Sequence, residues 1–394
     1  MQTKKDLRVA LLTGGIDPHY ALGLLLALVE KGIYIDFIGN DEMMDADTTK
    51  RPGVSYFNLR GETRADASLR EKIIRVLKYY IKLIVYANTS EAKIFHILWL
   101  NKFIYFDRTL LNVYYRFLGK KLVFTAHNVN AGERDGTDSI LNKVSLRFMY
   151  SLMDHIFVHT DKMRQQLVDE YKVNSNKVSV IRYGFNNVVP QSDLTRDAAR
   201  HLLGLDNNEK VLLFFGNIAP YKGLEYLISA MALLKNRIVD LRLIIAGKVK
   251  GCEEYWREIK NLIDNSGLRQ NILLHIRYVL DEEVEVFHKA SDAMILPYKH
   301  IFQSGVLFLS YSFGLPVIAS DVGSLRDDII EGKTGFLCHP QDPEDLATKI
   351  ESYFSSKLYE GLENNRNNIV EYVKTNNSWS KVGEITCEVF QGLL

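Results

Sequence analysis

Cysteine is scarce in this chain: Cys252, Cys338 and Cys387 are few, odd in number and far apart. That argues against a disulfide framework or a cysteine-rich zinc site and fits a reducing cytosol. No stretch approaches the roughly 18 uninterrupted apolar residues of a membrane-crossing helix. The opening, MQTKKDLRVALLTGG, runs straight into a strand-like segment without a signal-peptide core. An integral membrane protein is therefore not expected. An excess of charge of one sign is also missing, since the formal net charge is +1 and gives the whole chain no pull toward nucleic acid. The glycine fingerprint of a dinucleotide-binding turn is absent too. TGGIDPH (13–19) has two adjacent glycines and no third at the required spacing.

What is present is length and rhythm. At 394 residues the chain exceeds one ordinary core, and 47% hydrophobic with 25% charged residues is a soluble, globular composition. Short β-branched runs at 8–13, 33–39, 93–98, 121–127 and 154–160 alternate with helix-length segments at 18–31, 66–88 and 138–153. After a polar, proline-bearing stretch (188–197) the rhythm restarts, with strands at 211–217, 241–247, 271–277, 292–298 and 315–321. Their helices fall at 221–235, 253–265, 282–290, 303–313 and 343–354. This predicts an α/β protein of two doubly wound, Rossmann-like domains facing a central cleft, with ligands beyond the carboxyl ends of the strands. The expected domains are 1–190, 191–355 and a helical tail, 356–394, packing back toward the first.

Two segments of the second domain have the chemistry of an anion site. In FFGNIAPYKGLEYLISA (214–230), Gly216 permits a sharp turn and Lys222-Gly223 falls in the expected first helical turn, where free amides and the dipole favour a phosphate. In PYKHIFQSGVLFLSYSFGLPVIASDVGSL (297–325), Ser304, Gly305 and Val306 open a buried helix whose middle is apolar. A solvated lysine and a plain Ser304 cap are the ordinary alternatives. Two helix ends after strands of one sheet would together grip a diphosphate. In the first domain, TAHNVNAGERDG (125–136) sets His127 at a strand's carboxyl end, and Gly14-Gly15 follow the first strand. A satisfied core histidine and a simple turn are the alternatives there.

With these motifs in order, the chain resembles a retaining glycosyltransferase of the GT-B fold, glycosyltransferase family 4. The likeness rests on GGIDPHYALGLLLALVEKG, VFTAHNV, VHTDKMRQQL, VSVIRYGFNN, FFGNIAPYKGLEYLISA, LRLIIAG, ASDAMILPY and FGLPVIASDVGSLRDDIIEGKTGFL, and runs over nearly the whole length. It implies sugar transfer from a nucleotide diphosphate sugar without a metal. Lys222 would hold the diphosphate, the Ser304–Val306 amides the phosphates, and Gly14-Gly15 their far side. His127 would lie by the transferred sugar. On the same reading Gly216, Asn217, Gly247, Arg277, Tyr278 and Gln303 line the donor, and Asn128, Asn130 and Glu133 the acceptor side. His127 and Lys222 are the expected catalytic pair.

The chain departs from that pattern at charged positions. Asn217 and Ala219 stand where the family carries an arginine, and Ile301 and Leu309 where it carries paired glutamates. Gln303 is the expected substitute at the sugar, since an amide both donates and accepts. A non-catalytic or partner-dependent nucleotide-sugar-binding subunit, or another GT-B enzyme such as a nucleotide-sugar epimerase, remains open. Residues 69–122 hold eleven Lys/Arg, three Asp/Glu and eleven aromatics. They predict contact with an anionic membrane surface at the cytoplasmic face, and a saccharide or lipid-linked acceptor for polysaccharide or glycolipid synthesis. A packed aromatic core with solvated lysines is the alternative, and nucleic acid is not an expected partner.

Overall fold

The computed structural model describes residues 7–44, 50–61, 68–134, 138–185, 189–249 and 251–394. The expected helix at 66–88 is described from Leu69, and its first residues, 66 and 67, lie outside the described residues, as do 135–136 of the His127 motif and Val188 of the expected linker. Two compact units divide the chain: 1–184 with 377–394, and 185–376. The tail is thus shared. Residues 356–376 go with the second unit, and the last helix goes with the first.

The first unit is a seven-stranded parallel sheet built from β1 (Arg8–Leu12), β2 (Tyr34–Gly39), β3 (Val54–Asn58), β4 (Ile94–Ile97), β5 (Lys121–Ala126), β6 (His155–Val158) and β7 (Val178–Val180). Its order is β3-β2-β1-β4-β5-β6-β7. β1, β4, β5 and β6 are buried almost throughout, as strands covered on both faces must be. The Trp379–Gly392 helix closes this unit against the Pro18–Glu30 helix. Trp379 is the wedge: a Cβ on Gly23 or Gly184 would stand 2.4 or 2.3 Å from its ring, so a side chain at either would expel it.

The second unit is a six-stranded parallel sheet of β8 (Lys210–Phe215), β9 (Leu241–Ala246), β10 (Ile272–His275), β11 (Ala293–Leu296), β12 (Val317–Ser320) and β13 (Gly335–Cys338), in the order β10-β9-β8-β11-β12-β13. Arg200, without exposed surface, joins the Arg196–Leu202 helix to this sheet. It bonds Asp292 at 2.8 Å and donates to the carbonyls of Ala290, Asp206, Asn207 and Glu209.

In each sheet the chain reverses its winding at one place, between β1 and β4 and between β8 and β11. A crevice forms at such points, outside the strand ends, because the two crossovers leave in opposite directions. Gly14 and Trp99 occupy that position in the first unit. Gly216, Lys222 and Tyr298 occupy it in the second.

Candidate functional site

β8 ends at Phe215, and Gly216 (φ +96°) turns the chain where a side chain would be strained. The next helix does not begin at Lys222. Residues Pro220–Lys222 form a short 3-10 turn, Gly223 (φ +66°) caps it, and the helix runs Leu224–Leu234. This corrects the expected start at 221. The Leu224 amide donates to the Tyr255 hydroxyl at 3.1 Å, and Glu225 places a carboxylate in the first turn. A cavity of 820 Å³ beside it is lined by Glu225, Glu253, Glu254 and Glu258, with Lys299 paired to Glu225 as its one cation among the lining residues. That helix end is therefore already answered by a hydroxyl and by negative charge, and is no second anion seat.

Lys222 turns inward instead. It is buried, at 5% exposure, with its ammonium 3.4 Å from the Phe215 carbonyl. The ammonium also lies 5.6 Å from the Tyr298 ring and 5.9 Å from the Phe214 ring, within cation–π range. Among the described residues no carboxylate pairs with it. Burial alone holds its pKa down to about 8. A Cβ on Gly216 would stand 2.9 Å from this ammonium and 3.6 Å from Val306 Cγ2. Gly247 (φ +150°) is needed for the same approach, since a Cβ there would stand 1.9 Å from the Gly216 carbonyl oxygen.

Val306 belongs to the first turn of the Gly305–Ser312 helix. Ser304 precedes it, yet its hydroxyl caps no amide and lies 3.4 Å from the Tyr298 hydroxyl. Gly305 is exposed and Ser304 is buried. Gly216, Lys222, Gly247, Ser304 and Val306 thus come together around one buried cation, with Gly305 beside them at the helix start.

Other sequence candidates are committed elsewhere. Gln303 donates to Asp328 at 3.0 Å and accepts from the Ser324 hydroxyl, so its amide is tied to the loop beside it. Arg277 forms a two-pronged pair with Glu283, at 2.6 Å on one side, and Glu283 also accepts from the Leu280 amide. Tyr278 is exposed, with the Lys248 ammonium 5.2 Å from its ring. Asn217 is half-buried. Ile301 is half-buried and Leu309 buried, so neither presents a polar group.

In the first unit the Gly14-Gly15 turn (φ +62° and +70°) follows β1. A Cβ on Gly14 would stand 2.7 Å from the Trp99 carbonyl, and one on Gly15 2.6 Å from Arg60 Nη1. The Gly15 amide is spent on the Thr13 hydroxyl at 3.2 Å. His127 follows β5. Trp99 stacks on its ring at 4.1 Å and 4°, and Tyr20 meets it edge-on at 4.6 Å. Its Nδ1 is 2.9 Å from His159 Nε2, while its Nε2 is buried and has no hydrogen-bond partner. Burial first, then the neighbouring His159 and His96, push its pKa well below the usual imidazole range.

Asn130 is structural: its side-chain oxygen accepts from Gly132 at 3.1 Å and Asn142 at 2.8 Å. Asn128 is half-buried, and Glu133 is exposed on the short Ala131–Arg134 helix.

Two family models divide the chain between them: Glycosyltransferase Family 4 matches residues 18–187, and Glycosyl transferases group 1 matches 195–376. The chain belongs to the group 1 glycosyltransferases. A D-inositol 3-phosphate glycosyltransferase of Rhodococcus opacus is 30% identical over 253 residues, covering 60% of this chain and 55% of that protein. The chain thus spans about half the length of that curated relative. Sucrose-phosphate synthase from Thermosynechococcus elongatus matches with a TM-score of 0.78 at 19% identity, covering 98% of this chain and 99% of that one. Anabaena HepE, solved in complex with UDP, matches with a TM-score of 0.73 at 16% identity, covering 98% of this chain and 100% of that one. The fold is GT-B.

Tyr298, Trp99 and His159 were not singled out as site residues from sequence. Tyr298 stands inside the ASDAMILPY motif, two residues beyond the end of β11, where a strand-end position was available as a signal. Trp99 follows β4 in the same way. Among the described residues, no group of three or more His, Cys, Asp or Glu side chains gathers to hold a metal.

Proposed function

We propose that this glycosyltransferase moves a sugar, with retention at the anomeric carbon, from a UDP- or GDP-linked donor to a saccharide or lipid-linked saccharide. The observation that carries the reading is Lys222. A buried ammonium without a carboxylate partner is costly to hold and calls for an anionic ligand. The uncapped start of the Gly305–Ser312 helix adds amide donors and the positive end of a dipole. Together they would hold the two phosphates and stabilise the charge that grows on the departing nucleotide diphosphate. Lys222 and His127 are the proposed catalytic residues, with His127 accepting a hydrogen bond from the transferred sugar. We assign no metal and no protein nucleophile to the step.

Asn217, Ile301 and Leu309 favour a second reading, a nucleotide-sugar-binding subunit that works with a partner, because no charged side chain stands at those positions. A thermal-shift panel of UDP, GDP, ADP and their sugars, followed by product analysis, separates the two. Stabilisation with turnover supports the enzyme, and stabilisation without turnover in any acceptor extract supports the subunit. No stabilisation by any nucleotide overturns both.

The acceptor is proposed to come from an anionic membrane surface on the cytoplasmic side. Three neighbouring helical segments of the first unit each turn an apolar stripe outward. The Leu69–Thr89 helix exposes Ile73, Ile74, Leu77, Ile81 and Val85; residues 103–117 expose Phe103, Leu110, Val113 and Phe117; the Ile140–Leu152 helix exposes Ile140, Leu141, Val144 and Phe148. Phe117 and Ile140 are 85% and 84% exposed. The segments adjoin, since Tyr114 donates to the Ile84 carbonyl at 3.4 Å and Arg108 to Asn142 at 2.7 Å. Single exposed apolar residues are ordinary, but three adjoining stripes are not. Exposed Arg70, Lys78, Lys82, Lys102 and Arg147 lie on or next to the same segments and suit anionic headgroups. No helix among the described residues is long and apolar enough to cross a membrane.

A further inference from the structure

His159 belongs to a hydrogen-bonded line that starts at a backbone carbonyl and ends at a bare nitrogen. It follows β6 directly and is 4% exposed. Its Nδ1 lies 3.0 Å from the Ile181 carbonyl oxygen. A carbonyl only accepts, so Nδ1 carries a proton. Burial holds the His159 pKa to about 4, so near neutral pH the ring is uncharged and has no second proton. Its Nε2 is then an acceptor. The atom 2.9 Å from that acceptor is Nδ1 of His127, which must therefore donate.

The consequence falls on the far side of His127. With its one proton committed to His159, its Nε2 presents a lone pair, and that is the buried nitrogen without a partner. The ring cannot turn to relieve this, because Trp99 lies flat against it at 4.1 Å and Tyr20 meets it on edge. Gly14 contributes indirectly, by letting the β1 turn come within van der Waals reach of the Trp99 backbone.

We propose that His159 is a positioning residue: by accepting from His127 Nδ1 it fixes the tautomer in which His127 Nε2 receives a hydroxyl hydrogen bond from the sugar of the donor. The proposal rests on the sugar-facing reading of His127. The chemical partner it selects is a hydroxyl donor; a group that only accepts, such as a carbonyl or phosphate oxygen, is disfavoured at that nitrogen.

The test uses the full chain labelled with ¹⁵N at histidine. The wild-type spectrum is expected to show His127 protonated at Nδ1 and bare at Nε2. His159→Met removes the acceptor, so the proton should shift toward Nε2 and kcat/KM for the nucleotide sugar should fall by about tenfold or more. His159→Gln offers an amide oxygen to His127 and an N–H to the Ile181 carbonyl, and should restore the wild-type tautomer and most of the rate. A merely structural His159 would not give that paired recovery. The proposal is overturned if His127 is protonated at Nε2 in the wild type, which holds even if the Met variant fails to fold. It is also overturned if a folded Met variant keeps both tautomer and rate. Should His127→Ala leave turnover unchanged while the tautomer results hold, the sugar-facing reading fails and the His159–His127 bond stands.

Discussion

The ammonium of Lys222 lies 2.9 Å from the point where a side chain on Gly216 would begin. The two residues are one device. Glycine permits the positive φ that turns the chain off β8, and its missing side chain leaves the space that the ammonium faces. Gly216→Ala is expected to lower nucleotide-sugar turnover at least tenfold and to destabilise the second unit by about 1–3 kcal/mol, the usual range for a strained non-glycine backbone. Activity assays with a thermal melt check this. A variant with unchanged rate and stability would show that the space is not used.

Donor binding should weaken in alkali. The free protein holds Lys222 at about 8, below the usual lysine value, because the buried charge lacks water. A bound diphosphate favours the charged form, so binding draws in a proton wherever the free ammonium is partly neutral. Affinity is therefore expected to be flat below pH 7 and to fall as pH rises through about 8 toward 10. The stability contribution has the opposite sign: the unfolded chain binds this proton more tightly, so the group's penalty is full below pH 8 and is relieved as pH rises toward 10.5. Calorimetry in buffers of different ionisation enthalpy measures the proton uptake directly. No uptake at pH 8.5 would contradict the assignment.

The apolar stripes of the first unit predict a membrane phenotype separable from catalysis. Leu77→Glu with Ile81→Glu places two carboxylates on the outward face of the Leu69–Thr89 helix, away from buried Tyr79, Tyr80 and Leu83. Wild type should float with anionic vesicles and much less with neutral ones. The double variant should stay in solution while keeping its melting temperature and its nucleotide affinity. Equal recovery of wild type with both kinds of vesicle would count against an electrostatic surface.

The strands were the most legible part of the sequence, because a parallel strand covered on both faces is an uninterrupted apolar run. VSYFN (54–58) was missed: β3 is an edge strand of half-buried residues and lacks that signature. GFLC (335–338) sits at the other sheet's edge, and only its first three residues appeared, at the end of a longer motif. Lys222 and Gly216 could be singled out by position, since each follows a strand. Their mutual arrangement could not, because the 3-10 turn that swings Lys222 inward reads like an ordinary helix start. Gln303 illustrates the opposite failure. A lone amide beside a glycine looked free, yet its partners, Ser324 and Asp328, lie about twenty residues further on and meet it only in the fold. His159 was visible in VHTDKM, but a histidine's role depends on which nitrogen carries the proton, and that is set by the Ile181 carbonyl.

The central claim is that one buried ammonium holds the donor's diphosphate, and titration of UDP, GDP and ADP into wild type and Lys222→Met tests it most directly. Methionine fills the same space without charge and removes a desolvation cost on the order of 3 kcal/mol, from the drop between 10.5 and about 8. The variant should therefore melt at the same temperature as wild type or higher, while its affinity for the nucleotide that wild type prefers falls by a hundredfold or more. A Lys222→Met protein that binds that nucleotide as tightly as wild type would contradict the account.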